Sequence, residues 1–179
     1  MANLKLKNPS GGSLALVSAD GASDLTVTFP AATGTAMVSG NMPAFHATVG
    51  SLTLSNSTWT KMPFSGEAID TNNNYDPTTN YRFTPTVAGY YWIKAQYFIG
   101  TSAGRIACSI YKNSGDVCQT LVLGSNTNGG ISVVTQGIIS LNGTTDYVEA
   151  YAYQESGGSV AINTNAGLTL FSGFMVRAA

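Results

Sequence analysis

Apolar and polar residues alternate with a period of two along much of the chain, most regularly around residues 105–111 and 147–153. The apolar positions are Ile106, Cys108 and Ile110 in the first segment and Val148, Ala150 and Ala152 in the second. Because successive side chains of a β-strand point to opposite faces of its sheet, this pattern predicts strands that bury one face. No long segment shows the 3.6-residue periodicity of an amphipathic helix, so the sequence predicts an all-β protein.

Two further segments, residues 131–141 and 168–176, are apolar on both faces. In the first, Val134 and Ile138 oppose the other apolar positions, and in the second, Phe171 and Met175 oppose Phe174. A sandwich strand needs one apolar face, and no predicted helix is available to cover the other. We therefore expect a closed homo-oligomer with Phe171, Phe174 and Met175 at its subunit interface.

Turn-forming Asn, Gly and Ser residues separate the predicted strands at short intervals. From Ala44 onward there are about ten strand candidates, a density typical of a β-sandwich or jelly roll. Residues 1–43 contain only short apolar stretches between Gly, Ser and Ala, which is too little for a core in one copy. We predict a β-rich stem or docking segment over residues 1–43 and a head domain over residues 44–179.

The segment from Tyr81 to Ile93 resembles the signature of the C1q/TNF-like superfamily, with Phe83 six residues before Gly89 and then Tyr91. Three other segments resemble that family in order and spacing: Ala44–Ala47, Tyr75–Thr79 and Phe171–Val176. The resemblance implies a C1q/TNF-like jelly-roll head that assembles as a homotrimer. One position departs from the family, because Tyr81 stands where the family has a glycine. We expect Asn80 to adopt the left-handed backbone conformation there instead.

The segment from Leu25 to Gly40, LTVTFPAATGTAMVSG, resembles one that is frequent in virion and fibre proteins of tailed phages, where it precedes the distal domain. A collagen stalk of Gly-X-Y triplets does not occur in the sequence. The resemblance implies a structural protein of the virion surface, assembled in the host cytoplasm. Residues 1–43 would then bind other virion proteins, and the head would engage the host surface. The alternatives are a cellular C1q-like adhesin or secreted lectin, and a fibre that only stabilises the capsid.

The low charge and the hydropathy of the chain argue against several classes of binding partner. Charged residues make up 9% of the chain, against about 25% in an average soluble protein, and the net charge is −1. Without a run of basic residues, neither nucleic acid nor an anionic membrane is an expected partner. The apolar stretches are too short to span a bilayer, and the N-terminal lysines precede no apolar region typical of a secretory signal.

Candidate catalytic and metal-binding residues are few. His46 is the sole histidine, and neither a nucleophile motif nor a zinc-ligand spacing accompanies it. The spacing of Asp70, Asn72, Asn74 and Asp76 imitates the start of an EF-hand loop, but tyrosines replace the required glycine and glutamate. Asp146 and Glu149 are expected on opposite strand faces, a poor arrangement for a glycosidase pair. We expect no enzymatic activity, no cofactor and no metal site.

Ligand contacts are expected in the loops of the head, since strand faces are committed to the core or to neighbouring subunits. The candidate residues are Ser114, Gly115, Asp116, Asn126, Asn128 and Glu155. They are polar and carry little charge, which favours weak hydrogen bonding to a host cell-surface glycan or protein. Cys108 and Cys118 flank the turn at residues 112–115, and both a disulfide and two free thiols are compatible with that spacing.

Overall fold

The computed structural model describes residues 4–7, 10–11, 13–16, 37, 40, 42–124 and 129–179. The chain divides into two compact units, Met1–Gly34 and Thr35–Ala179. In the first unit, β1 (Leu4–Lys7) and β2 (Ser13–Leu16) form an antiparallel hairpin. The division falls before the boundary placed after residue 43 by the sequence pattern, and the role of residues 1–43 as a stem stays a prediction.

The second unit contains thirteen strands among its described residues, and every strand pair is antiparallel. The strands are β3 (Ala44–Thr48), β4 (Thr53–Leu54), β5 (Thr60–Lys61), β6 (Gly66–Asp70), β7 (Tyr75–Asp76), β8 (Arg82–Phe83), β9 (Gly89–Ile99), β10 (Arg105–Lys112), β11 (Gly115–Leu123), β12 (Ile131–Leu141), β13 (Val148–Gln154), β14 (Val160–Ala161) and β15 (Leu170–Ala178). No α-helix occurs in the described residues, and thus none that could cross a membrane. The all-β prediction is confirmed.

Two sheets form the sandwich. Sheet I has the strand order β11-β10-β13-β8-β7, with β5 also paired to β13, and sheet II has the order β12-β9-β15-β3-β6. A short ribbon of β14 and β4 stands apart from both. The predicted alternation is confirmed, because the apolar positions of β10 and β13 lie in the core between the sheets.

Aromatic rings join the two sheets in the core. Phe45 of sheet II stacks on Phe83 of sheet I with 4.3 Å between ring centroids. Tyr75 stacks on the same Phe45 at 5.3 Å, and Phe171 meets it edge-on at 4.9 Å. Tyr91 completes the cluster by an edge contact with Phe83 at 5.7 Å. These five rings are at most 5% exposed, so their burial is a large part of the free energy that holds the sheets together.

The close packing of β15 against this aromatic cluster requires a glycine at position 173. A Cβ atom on Gly173 would lie 2.5 Å from Cδ1 of Ile93 and 2.9 Å from the ring of Phe45. Both distances are shorter than carbon atoms tolerate without rearrangement, because the interior is close-packed. Gly173 therefore allows β15 to approach the aromatic cluster.

The two cysteines are free thiols. The hairpin register pairs Cys108 with Thr120 and Cys118 with Ile110, so the two cysteines are not directly opposite one another. Cys108 is fully buried, and burial raises the pKa of its thiol above the usual range. Of the two alternatives that the spacing allows, the structure thus shows two free thiols rather than a disulfide.

The expectation for the turn before β8 is wrong. Tyr81 itself adopts the left-handed conformation, with φ of 47°. Asn80 is held instead in the turn made by Asp76, whose Oδ2 accepts hydrogen bonds from the backbone N–H and the side-chain Nδ2 of Asn80. The left-handed conformation therefore occurs at the position where the family has a glycine, although this chain has a tyrosine there.

This strain predicts the order of stability of two variants. Tyr81→Gly and Tyr81→Ala both remove the ring, but only glycine adopts positive φ without steric cost. We expect the glycine variant to be more stable than the alanine variant by about 1 kcal/mol, measured by denaturant unfolding. The same pair at Tyr151, in the middle of a strand, should show the opposite order. Equal stabilities, or a more stable alanine variant, at position 81 would contradict the prediction.

Candidate functional site

The outer face of sheet II carries an apolar row that crosses three strands. The register places Ile138 of β12 beside Trp92 of β9, and Trp92 beside Phe174 of β15. The rings of Trp92 and Phe174 lie 5.5 Å apart. Ile138 is 65% exposed and Phe174 is 49% exposed. Further exposed apolar residues on this face are Ile69, Tyr90, Val134 and Val176, so an isolated subunit leaves an extended apolar surface in water.

The structure corrects two of the three predicted interface residues. Phe171 and Met175 point towards sheet I and are 0% and 2% exposed, so they belong to the core of the subunit. Strand alternation places Phe174 on the opposite face of the same strand, where it is exposed. Of the three predicted residues, only Phe174 is therefore available to another subunit.

The outer face of sheet I exposes apolar side chains on its edge strand, namely Val117, Leu121 and Leu123, but it also carries charged pairs. It carries ion pairs between Lys61 and Glu149, with Nζ to Oε2 at 2.6 Å, and between Arg105 and Glu155. At the rim of the sandwich, Lys112 pairs with Asp146 at 2.9 Å, and this contact lowers the pKa of the Asp146 carboxyl. Asp146 and Glu149 thus serve separate ion pairs. Sheet I or its connecting loops supply the acidic partner of every ion pair found in the described residues.

The predicted loop residues do not converge on one site. Ser114 lies in the β10–β11 turn, where its Oγ is 2.9 Å from the hydroxyl of Tyr147, and Asp116 accepts a hydrogen bond from Ser109 at 2.8 Å. Gly115 begins β11 beside them. Glu155 lies at the other end of the same sheet, next to Arg105. Asn126 and Asn128 fall outside the described residues, and the role of all six residues in ligand binding stays a prediction.

Glu155 takes part in a cluster that the sequence pattern does not predict. Arg105 Nη2 donates hydrogen bonds to Glu155 and, at 2.9 Å, to the hydroxyl of Tyr153. That hydroxyl donates to Glu155 Oε1 at 2.5 Å, and this bond together with Arg105 lowers the pKa of the Glu155 carboxyl. The sequence contains only a weak signal for this cluster, namely Arg105 and Tyr153 at non-core positions of two alternating segments.

The remaining candidate catalytic and metal-binding residues occupy positions that fit a structural role. His46 lies on β3, half-buried on the outer face of sheet II, opposite Ser172 of β15. The carboxylate of Asp70 accepts backbone hydrogen bonds from Asn72 and Tyr75, and that of Asp76 accepts them from Thr78, Thr79 and Asn80. Among the residues that the structure describes, no group of three or more His, Cys, Asp or Glu side chains is placed to hold a metal ion.

Known proteins resemble this chain in fold but not in sequence. No protein-family model and no curated protein matches the sequence. The crystal structure of murine APRIL at pH 5.0 is similar over 75% of this chain and 99% of that chain, with a TM-score of 0.60 and 8% identity. Eiger TNF from S. frugiperda is similar over 77% of this chain and 93% of that chain, with a TM-score of 0.55 and 10% identity. These likenesses confirm a C1q/TNF-like jelly roll.

The turn around Asp76 predicts a specific dependence of stability on pH. The backbone N–H groups of Thr79 and Thr78, together with Asn80, hold the pKa of Asp76 well below its usual value of 3.8. A carboxylate whose folded pKa is depressed stabilises the fold above the unfolded pKa and loses this effect as pH falls through the folded pKa. We expect Asp76→Asn to lower the melting temperature at pH 7, and the difference from the unmodified protein to shrink below about pH 4.

A matched control is Asp116→Asn, whose carboxylate accepts a hydroxyl hydrogen bond from Ser109 rather than several backbone N–H bonds. It should change the melting temperature less at every pH. Because the Asp70 and Asp76 carboxylates already accept backbone hydrogen bonds, a chelator should leave the melting temperature unchanged. A pH-independent effect of Asp76→Asn, or a large shift with chelator, would contradict this account of the loop.

Proposed function

We propose that the protein is a non-enzymatic structural protein of a phage virion surface, a fibre or spike whose jelly-roll head forms a homotrimer and engages the host surface. The observation that carries the proposal is the apolar row of Ile138, Trp92 and Phe174 on the outer face of sheet II. An apolar surface of this extent is typical of a subunit interface, and a second copy of the chain supplies a matching surface. The trimeric state is the one that the family resemblance implies.

The chemistry of the two faces determines the orientation of the subunits in this proposal. Sheet II faces the neighbouring subunits, since burying its exposed aromatic and aliphatic side chains is favourable by about 25 cal/mol for each Å² of apolar surface. Sheet I faces outward, since the charged groups of Lys61, Arg105 and Glu155, whose side chains are 31%, 37% and 35% exposed, would lose hydration on burial and gain little in return. The head therefore presents sheet I and the connecting loops to the host.

Two valines of equal exposure test the interface. Val176 on sheet II and Val117 on the edge strand β11 of sheet I are each 49% exposed. We expect Val176→Glu to shift the mass in light scattering from three chains towards one, because it places a charge in an apolar interface. Val117→Glu should leave the trimer intact. Phe174→Glu should act as Val176→Glu does.

The result fails to support the interface if both valine variants remain trimeric or if both dissociate. Far-ultraviolet circular dichroism separates dissociation from unfolding, because the dissociated head should keep its strand signal. An unmodified protein that scatters as a stable monomer at micromolar concentration would overturn the trimer itself.

Truncation tests the division of roles along the chain. Met37 packs against the core of the head, and the carbonyl oxygen of Gly40 accepts a hydrogen bond from Asn72 at 3.1 Å. A protein beginning at Thr35 keeps these contacts and should form a trimer with a cooperative melt. One that begins at Met42 should also fold, with a lower melting temperature. Both should fail to attach to virions, because the docking segment is missing.

Labelling of purified phage particles with an antibody to the head completes this test in the electron microscope. We expect the full-length chain on the particle surface and neither truncated form there. A full-length chain found only on the producing cell or in its medium would favour the cellular adhesin or secreted lectin instead.

A further inference from the structure

A groove with a volume of about 260 Å³ lies on the outer face of sheet I. Its lining residues are Trp59, Arg105, Ala107, Gln119, Leu121 and Tyr153. The floor is Ala107 of the inner strand β10, whose direct neighbours across the sheet are Leu121 of β11 and Tyr153 of β13. A small side chain between two large ones leaves a depression, so the strand register itself makes the groove.

The aromatic wall of the groove is fixed in position. The ring of Tyr153 contacts Trp59, at a centroid distance of 5.3 Å, and the guanidinium carbon of Arg105, at 5.0 Å from the ring centroid. The hydroxyl of Tyr153 accepts a hydrogen bond from Arg105 and donates one to Glu155. A wall that is ordered before a ligand arrives loses little conformational entropy on binding.

The polar groups of the groove provide both donors and acceptors without net charge. Arg105 and Glu155 neutralise each other, and Gln119 adds an amide on the β11 side. The Nε atom of Arg105 is buried and has no hydrogen-bond acceptor among the described residues. Because this atom is buried, a ligand hydroxyl in the groove would bond to other N–H groups of the guanidinium or to the amide of Gln119.

We propose that this groove binds one neutral sugar ring of a host surface glycan. A pyranose combines an apolar C–H face, which suits Trp59, Tyr153 and Leu121, with hydroxyl groups that both donate and accept hydrogen bonds. The volume lies below the range of about 300–1,000 Å³ found for drug-sized ligands, which fits a single ring. Balanced charge in the groove favours a neutral sugar over an acidic one.

The position of the groove disfavours an extended peptide. Its floor is β10, which pairs on both sides with β11 and β13, so a peptide cannot add as a strand along the floor of the groove, and the free edge of the sheet lies beyond it at β11. The site also differs from the expectation that ligand contacts lie only in loops, because five of its six residues belong to strands β10, β11 and β13, with Arg105 next to the predicted Glu155.

This inference rests on the proposed function, in which sheet I faces outward from the trimer. The three grooves of a trimer then remain open, and weak binding at each one strengthens by avidity when a surface presents many copies of the sugar. A single groove that makes few hydrogen bonds should bind in the millimolar range.

The test titrates the full-length protein with methyl glycosides of glucose, galactose, mannose and N-acetylglucosamine, followed by saturation-transfer and chemical-shift NMR. We expect at least one to bind. Gln119→Leu, at an exposed position, and Trp59→Ala should each weaken that binding about tenfold or more, equivalent to ~1.4 kcal/mol. Trp59→Phe should recover part of the loss. Tyr111→Ala is the matched control, because Tyr111 stacks on Tyr151 of the same sheet, outside the groove, and binding should be unchanged.

Three results would overturn the sugar site. The first is that no methyl glycoside binds. The second is that Gln119→Leu and the folded Trp59 variants bind as the unmodified protein does. The third is that methyl glucuronide binds much more tightly than every neutral glycoside, because the groove then prefers an acidic ligand.

Adsorption of the fluorescently labelled protein to candidate host cells separates this proposal from the wider function. If the protein adsorbs and Gln119→Leu adsorbs equally, the groove is wrong and the host-binding role stands. If glycosides bind the groove but the protein adsorbs to no host cell, the sugar site stands and the host-binding role fails. Adsorption abolished by protease treatment of the cells, and unaffected by periodate oxidation of their sugars, would identify a protein receptor and overturn the glycan.

Discussion

The stacking of Phe45 on Phe83 is the contact on which the rest of the head depends, because it joins sheet II to sheet I at the centre of the core. Tyr75 and Phe171 pack around the same Phe45, so residues far apart in the chain meet at one point. An aromatic side chain buries about 150–250 Å², more than any aliphatic one, and few other contacts in a head this size equal such a cluster. The segments that resemble the C1q/TNF-like superfamily each contribute a ring to this cluster, which gives the resemblance a physical basis.

Once this cluster fixes the inner faces of the sheets, the two outer faces follow from strand alternation, and their chemistries differ. The outer face of sheet II exposes Ile138 and Phe174 on either side of Trp92, whereas the outer face of sheet I carries the ion pairs of Glu149 and Glu155. Burial against another subunit favours an apolar face and disfavours a charged one. The proposed trimer and the outward orientation of the groove are therefore two consequences of one asymmetry.

The groove on sheet I also depends on what lies behind it. Ala107 is the floor of the groove, and its neighbours Ile106 and Cys108 are core residues on the opposite face of the same strand. Tyr97 connects the layers further, since its hydroxyl donates to the carbonyl oxygen of Tyr153 at 2.5 Å from across the core. Tyr153 is thus held through its backbone from the inner side and through its ring and hydroxyl from the outer side. A site of this kind is rigid because the sheet beneath it is packed.

The features that are local to a strand follow from the sequence alone: the all-β class, the inward positions of β10 and β13, and the two apolar faces of β15. Alternation is a property of consecutive residues, so no tertiary information is needed to see it. The face of β15 that meets sheet I depends on the packing of the two sheets, which places Phe171 and Met175 in the core and Phe174 at the surface. Three-dimensional contacts also set the turn at Tyr81, where Asn80 is held by the hydrogen bonds that it donates to Asp76, and the groove, where register brings Trp59, Arg105 and Tyr153 together. The contacts of β15 and of the groove join residues that are distant in the chain, whereas the turn at Tyr81 depends on side-chain hydrogen bonds between residues four positions apart. Alternation within one segment carries no record of either kind of contact.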